Sequence, residues 1–396
     1  MTHKAGRHFL QLPGPTNVPD RVLRAMNRPT IDHRGPAFGE MTRHILSALR
    51  PVFGTSSPVY VFPASGSGAW EAALVNTLSR GDRVLGFDQG FFAERWVGVA
   101  CRMGLEFEVI PQDWRRPAGP LALERRLADD SAGEVSAVLV VHNETSTGVT
   151  TDIGAIRDAL DRAGHPALLM VDAVSSLAAM PVERDEWGVD VVVAGSQKGL
   201  MLPPGLSFNA VSEKALAASK TAMLPRAYWD WGEMARFNET GYFPYTPATN
   251  LLFGLEEALR MLDEEGLDAV YARHARHGHA TRLAVAAWGL ETFSTDPLAH
   301  SAAATTVLMP EGSDADSLRT VIRDRFDMSL GGGLGRLKGL VFRIGHLGDF
   351  NDLMLAGTLS GVEMGLAAAG VPHEPGGVAA ALAYLTETSV FEGEGS

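Results

Sequence analysis

The stretch VVVAGSQKGL, residues 191–200, decides the fold. Val191, Val192, Val193 and Ala194 are apolar and strand-forming, whereas Gly195, Ser196, Gln197, Lys198 and Gly199 are small, polar or flexible. A strand that is apolar on both faces belongs in a sheet covered on both sides. This one ends on a long-stemmed amine between two glycines. Six more short apolar runs surround it: VYVFP (59–63), RVLGF (83–87), EFEVI (106–110), SAVLVVH (136–142), ALLMVDA (167–173) and LSFNAVS (206–212). Amphipathic stretches fall between several of them. In DIGAIRDALDRAG (152–164), Ile153, Ile156 and Leu160 recur at three- and four-residue steps, and Gly164 stands where a helix would stop. Alternation of this kind predicts an α/β fold: a mainly parallel seven-stranded sheet with helices on both faces.

From about residue 250 the pattern is helical for longer. It then becomes mixed, with strand ATTVLMP, helix DADSLRTVIRDRF, glycine stretch GGGLG, strand GLVFRIGH and a last long helix. We read residues 1–265 as a larger domain and 266–396 as a smaller C-terminal α+β domain. The closing FEGEGS reads as disordered.

Composition narrows the functional classes. With 396 residues, 45% apolar and 20% charged, the chain suits a two-domain globular enzyme. A formal net charge of −13 disfavours nucleic acid or an anionic membrane as partner. The first residues lack an apolar run long enough for a signal peptide, so the expected compartment is the cytoplasm. The single cysteine, Cys101, excludes an internal disulfide and argues against a cysteine-built zinc site; no metal is expected. It lies in an amphipathic helical pattern and reads as a buried structural thiol.

In open α/β sheets, ligands bind at the carboxyl ends of the strands. The strand at 59–63 delivers ASGSGAWEAAL, a glycine–serine loop running into a helix. Its backbone amides and the hydroxyls of Ser65 and Ser67 suit a phosphate, although such loops also simply turn the chain. The strand at 167–171 delivers Asp172, either a helix cap or the partner of a buried cationic nitrogen, since a lone carboxylate is costly there. Lys198 follows at the end of another strand. A phosphate cradle, a buried carboxylate and a strand-end amine together suit pyridoxal 5′-phosphate, which needs an amine for its aldehyde and an acid for its ring nitrogen.

At this point the motifs themselves become recognisable. GSQKGLMLPPGL (195–206), with LLMVDAVSS (168–176), HNETSTGV (142–149) and VFRIGHLGD (341–349), resembles the class V aminotransferases of fold type I, and among them the enzymes that use glyoxylate. The likeness runs from PGPTNVP (13–19) to GGVAAALAYL (376–385). It implies transfer of an amino group from a small L-amino acid, serine ahead of alanine and aspartate, to glyoxylate. Lys198 would carry the coenzyme and shuttle the proton, and Asp172 would hold the ring nitrogen protonated. Ser67, Gly68 and Ala69 would bind the phosphate with Gln197 beside them; the family often has histidine or threonine where Ala69 stands. Thr145 would donate to the phenolic oxygen, and Phe92, next to Phe91, would stack on the ring.

Arg343 sits in an apolar strand pattern and needs a counter-ion. Its planar fork matches the α-carboxylate of a substrate, the alternative being a structural ion pair. The resemblance also implies a homodimer, possibly paired into a tetramer. Tyr242 (or Tyr245) and Thr246 would reach the neighbouring subunit's phosphate, and His33 and Arg34 would cross the interface to the substrate. The stretch GGGLGRLKG (331–339), with no strand before it and no helix opening from it, reads as a flexible loop at the pocket mouth. Cysteine desulfurases share this fold and cofactor, but Cys101 is poorly placed for their chemistry. A non-catalytic scaffold is disfavoured because the lysine, aspartate and arginine are all present.

Overall fold

The computed structural model describes residues 5–389; the FEGEGS tail lies outside the described residues. All seven predicted runs pair in one sheet. They are β2 (Val59–Phe62), β3 (Arg83–Phe87), β4 (Glu106–Ile110), β5 (Val135–Val141), β8 (Leu168–Asp172), β9 (Val191–Gly195) and β10 (Ser207–Val211), and their order is β2-β10-β9-β8-β5-β3-β4. Two residue pairs, β6 (Asn143–Glu144) and β7 (Val149–Thr150), form a hairpin beside it. Pairing is parallel from β9 through β4, and β10 runs antiparallel to β9 and β2. Every residue of β2, β8, β9 and β10 is buried, which accounts for the mainly apolar character of these strands.

Helices cover the sheet. Before it come α1 (Asp20–Met26) and α2 (Pro36–Val52); α3 (Gly66–Thr77) packs on β9 and β10, and α4 (Phe91–Arg102) on β3, β4 and β5. The amphipathic run at 152–164 forms helix Ile153–Arg162, with Ile153, Ile156 and Leu160 buried. Its start is capped by Asp152, whose carboxylate accepts the Ala155 N–H at 2.9 Å. On α4 the buried face is Ala93, Trp96 and Ala100, and Cys101 is exposed rather than buried as expected.

A second sheet has the order β1-β12-β13-β11, with β1 Phe9–Gln11, β11 Ala304–Leu308, β12 Met328–Gly332 and β13 Val341–Gly345. Val307, Leu330, Phe342 and Ile344 build its own apolar core with helices Ala315–Phe326 and Asp352–Ala369. Two features differ from expectation. A strand does precede the glycine stretch, because Gly331 and Gly332 are the last residues of β12. The N-terminal β1 pairs in parallel with β12, so the chain begins in the smaller sheet. Among the described residues no helix is long and apolar enough to cross a membrane, and no three His, Cys, Asp or Glu side chains cluster as metal ligands would.

Candidate active site

The carboxyl ends of β2, β5, β8 and β9 converge on a cleft of about 220 Å³. Ser67, Trp70, Phe92, Thr145, Asp172, Gln197 and Lys198 line it, so six side chains expected from the sequence share one space with a seventh, Trp70, that was not.

Lys198 is 8% exposed, and its Nζ donates to the carbonyl of Pro13. Burial lowers its pKa to about 8, with Arg343 acting in the same sense and Asp172 and Glu144 opposing. The turn that brings Pro13 over the amine depends on Gly14, at φ +97°, where a Cβ would stand 2.5 Å from Lys198 Cε and Nζ. Only glycine allows that approach. Thr16 fastens the same segment: its N–H donates to the Gln197 carbonyl at 3.1 Å and its hydroxyl to the Lys198 carbonyl at 3.2 Å.

Asp172 is 4% exposed. Its Oδ1 accepts the Val174 N–H at 2.7 Å, and its Oδ2 accepts the Trp70 indole N–H at 2.8 Å. Burial pushes the carboxyl up to about 7, while these two donors pull the other way. Lys198 acts in the same sense as the donors, and Glu144 adds to the effect of burial.

The helix start at Ser65 has no side-chain cap. The amides of Gly68 and Ala69 already donate to the Ser65 carbonyl, at 2.8 and 3.4 Å. The other amides of the first turn are those of Gly66 and Ser67. Gln197 Oε1 is buried nearby without a partner. An uncapped helix start, a buried carboxylate and an amine fit the phosphate, ring nitrogen and aldehyde of the expected coenzyme.

The loop after β5 supplies a rigid wall. Thr145 donates to Ser175 Oγ at 2.7 Å, and Ser175 donates to the Asn143 carbonyl at 2.8 Å. Glu144 is buried, and its Oε2 accepts the amides of Phe92 and Ala93, each at 3.1 Å, capping α4. That cap orients Phe92 toward the cleft. Phe91 turns instead into a separate cluster with Trp114, Leu337 and Val341.

Arg343, on β13, donates from Nε to the Gly332 carbonyl at 2.8 Å and from a terminal nitrogen to the Thr145 carbonyl at 2.9 Å. Among the described residues no carboxylate comes within 4.0 Å of it, so a structural ion pair is not made. Burial lowers its pKa to about 10, and Glu144 is the carboxylate that opposes this. It is a desolvated cation held by two carbonyls beside the cleft wall.

His33, Arg34, Tyr242 and Thr246 are not brought to this cleft within one chain. Arg34 and Thr246 are exposed, and Tyr242 packs on Gly39. Tyr245 stacks on Tyr228 with ring centroids 4.3 Å apart. Trp70, Glu144, Ser175 and the Pro13–Gly14 turn are site residues that sequence reasoning missed. Trp70 and Glu144 lay inside stretches already quoted, ASGSGAWEAAL and HNETSTGV, without being singled out.

A sequence profile described as aminotransferase class-V matches residues 8–333. The chain is 50% identical over 393 residues to a serine–glyoxylate aminotransferase of Methylorubrum extorquens, covering 98% of each. It is 43% identical to an L-aspartate–glyoxylate aminotransferase of Paracoccus denitrificans, covering 96% of each. A pyridoxamine–pyruvate aminotransferase structure from Mesorhizobium loti superposes with a TM-score of 0.91 at 28% identity, covering 98% of this chain and 100% of that one.

Proposed function

The chain belongs to the class V aminotransferases, and on that premise we propose that it moves the amino group of L-serine to glyoxylate, giving hydroxypyruvate and glycine. Pyridoxal phosphate, when bound, supplies a carbonyl for the amino group and a ring that draws in the electrons of the substrate's Cα–H bond. Lys198, with its amine near neutrality, holds the coenzyme's aldehyde carbon and carries the proton taken from the substrate α-carbon. Asp172 keeps a proton on the ring nitrogen. The first turn of α3, with Ser67 and Gln197, takes the phosphate, and Thr145 and Phe92 bound the ring.

The observation that carries this reading is Arg343: a buried guanidinium without a carboxylate, bonded to the carbonyl of Thr145, which lines the cleft together with Lys198. Its free donors suit an α-carboxylate in two parallel bonds. Residues 1–265 then carry the coenzyme, and residues 266–396 deliver the substrate clamp. Serine is favoured over aspartate by the higher identity to the serine–glyoxylate relative, 50% against 43% for the aspartate–glyoxylate one. His33, Arg34, Tyr242 and Thr246 act across the interface of a homodimer; their distance from their own chain's cleft supports this.

The test is turnover of the holoenzyme with glyoxylate and, in turn, serine, alanine and aspartate. Aspartate exceeding serine severalfold refutes the donor. Borohydride should fix the coenzyme to one peptide, and a labelled peptide lacking Lys198 refutes the chemistry. Cys101 does not line the cleft, which weighs against a desulfurase.

A further inference from the structure

Both oxygens of Asp172 carry one donor, and the two donors differ in kind. The Val174 N–H at 2.7 Å is backbone two residues on and follows from the turn itself. The other, the Trp70 indole at 2.8 Å, comes from a residue 102 positions away in sequence on a different element. Trp70 is 3% exposed, on α3, and its ring lies against Trp96 with centroids 5.9 Å apart and planes 15° from parallel. The helix itself is packed on β9 and β10, so the indole is fixed from both sides. Trp96, by contrast, leaves its own indole nitrogen without a partner. Packing alone therefore does not require an indole N–H here, yet Trp70's is aimed at Oδ2.

We propose that Trp70 is a positioning residue for Asp172: its N–H occupies Oδ2 and keeps the carboxylate the weaker base of the pair, so that a proton shared with the coenzyme's ring nitrogen rests on the ring. The inference depends on the proposed binding of pyridoxal phosphate over Asp172. A carboxylate has about four lone-pair sites, so two donors leave room for a ring N–H. Glu144 and Lys198 are the other charged groups that act on Asp172; Glu144 makes it more basic and Lys198 less. In a site where burial already raises the carboxyl, losing a donor makes it more basic still. The proton would then settle on the carboxylate, and the ring would lose its pull on the substrate's electrons. Removing one hydrogen bond to a buried charge corresponds to roughly one to two pH units.

The experiment has an apoenzyme arm and a holoenzyme arm. In the apoenzyme, the Asp172 side-chain ¹³C signal, assigned by its loss in Asp172→Asn, is titrated in wild type, Trp70→Phe and Trp96→Phe. The midpoint is expected to rise by roughly one to two pH units in Trp70→Phe and by clearly less in Trp96→Phe, which loosens the packing on Trp70 but keeps the bond. Equal midpoints in wild type and Trp70→Phe, or equal rises in both variants, overturn the proposal. Should Trp70→Phe fail to fold, the wild-type Trp70 indole ¹⁵N–¹H signal serves. It should shift with pH at the Asp172 midpoint, and a signal that stays flat overturns the proposal as well. In the holoenzyme, the ring nitrogen of ¹⁵N-labelled coenzyme should move toward its unprotonated position in Trp70→Phe. An unmoved ring nitrogen refutes the control of the shared proton. A protein that shows the apoenzyme shift but binds no coenzyme refutes the cofactor reading instead.

Discussion

Replacing Arg343 by methionine should abolish efficient turnover without unfolding the protein, and the two effects can be weighed separately. Arg343 is 7% exposed and carries no ion pair, and its pKa falls from the ordinary 12.5 to about 10. That fall corresponds to about 3 kcal/mol by which the folded protein disfavours its charge. Methionine removes this penalty. It also leaves the carbonyls of Gly332 and Thr145 without their donors, at about 1–2 kcal/mol each. The terms nearly cancel, so the melting temperature should stay within a few degrees of wild type. The substrate ledger is one-sided. Loss of two charge-assisted bonds to an α-carboxylate costs about 3–4 kcal/mol, or roughly 100- to 1,000-fold in kcat/KM for serine. Arg343→Lys keeps the charge but not the fork and should fall between. The assay is hydroxypyruvate formation at saturating glyoxylate, alongside thermal unfolding of the same preparations. A kcat/KM within threefold of wild type in Arg343→Met refutes the clamp. A melting temperature more than about 8 °C lower, with activity lost in proportion, would show instead that Arg343 is a structural pin.

Three further outcomes follow from the geometry. Asp172→Asn should retain coenzyme but lose at least roughly 100-fold in kcat, because a carboxamide cannot hold the ring nitrogen protonated; near-normal turnover refutes that role. Gly331→Ala would set a methyl 2.8 Å from Pro13 Cδ, 3.0 Å from Arg343 Cβ and 3.3 Å from its Nε, so either the clamp or the Pro13 turn must move. A rise in the serine KM of roughly tenfold is expected, by the loss of about one well-placed hydrogen bond, and unchanged kinetics would contradict the packing. His274 is confined to its neutral form, since Nδ1 donates to the Val270 carbonyl at 2.7 Å while Nε2 accepts the Gly348 N–H at 3.0 Å. Burial depresses its pKa from 6.5 to about 3, so its contribution is complete above pH 6.5 and is lost as pH falls toward 3. Between pH 7 and pH 5 the loss is about 2 kcal/mol, and urea midpoints should fall accordingly in wild type but less steeply in His274→Gln. Equal slopes refute it.

The larger sheet was legible because its strands are buried on both faces: continuous runs such as LLMVD and VVVAG leave no other reading. The amine and carboxylate were legible as polar residues that end such runs. β12 was not, because MSLGG offers little side chain to read, and its place is set by pairing with β1 and β13 rather than by its own propensity. Cys101 was misjudged by one position. It follows buried Ala100 by about 100° around α4, which is enough to carry it off the packed face. Trp70 is part of the core, and its second role lies in where one N–H points, which depends on β8 and not on its neighbours in sequence. Glu144 was hidden for a similar reason, since its partners are the amides of a helix that begins over 50 residues earlier.

The pairing of β1 with β12 carries a consequence for biosynthesis. Phe9 lies opposite Met328, so β1 waits for a partner made roughly 300 positions later. At about 5–20 residues per second, that delay is on the order of 15 to 60 s. Until then the Pro13 carbonyl is held over the Lys198 amine by the two Thr16 bonds alone. The roof over the amine therefore closes in two stages: Thr16 docks it on the Lys198 loop, and the pairing of β1 with β12 pins its other end once the later strand exists.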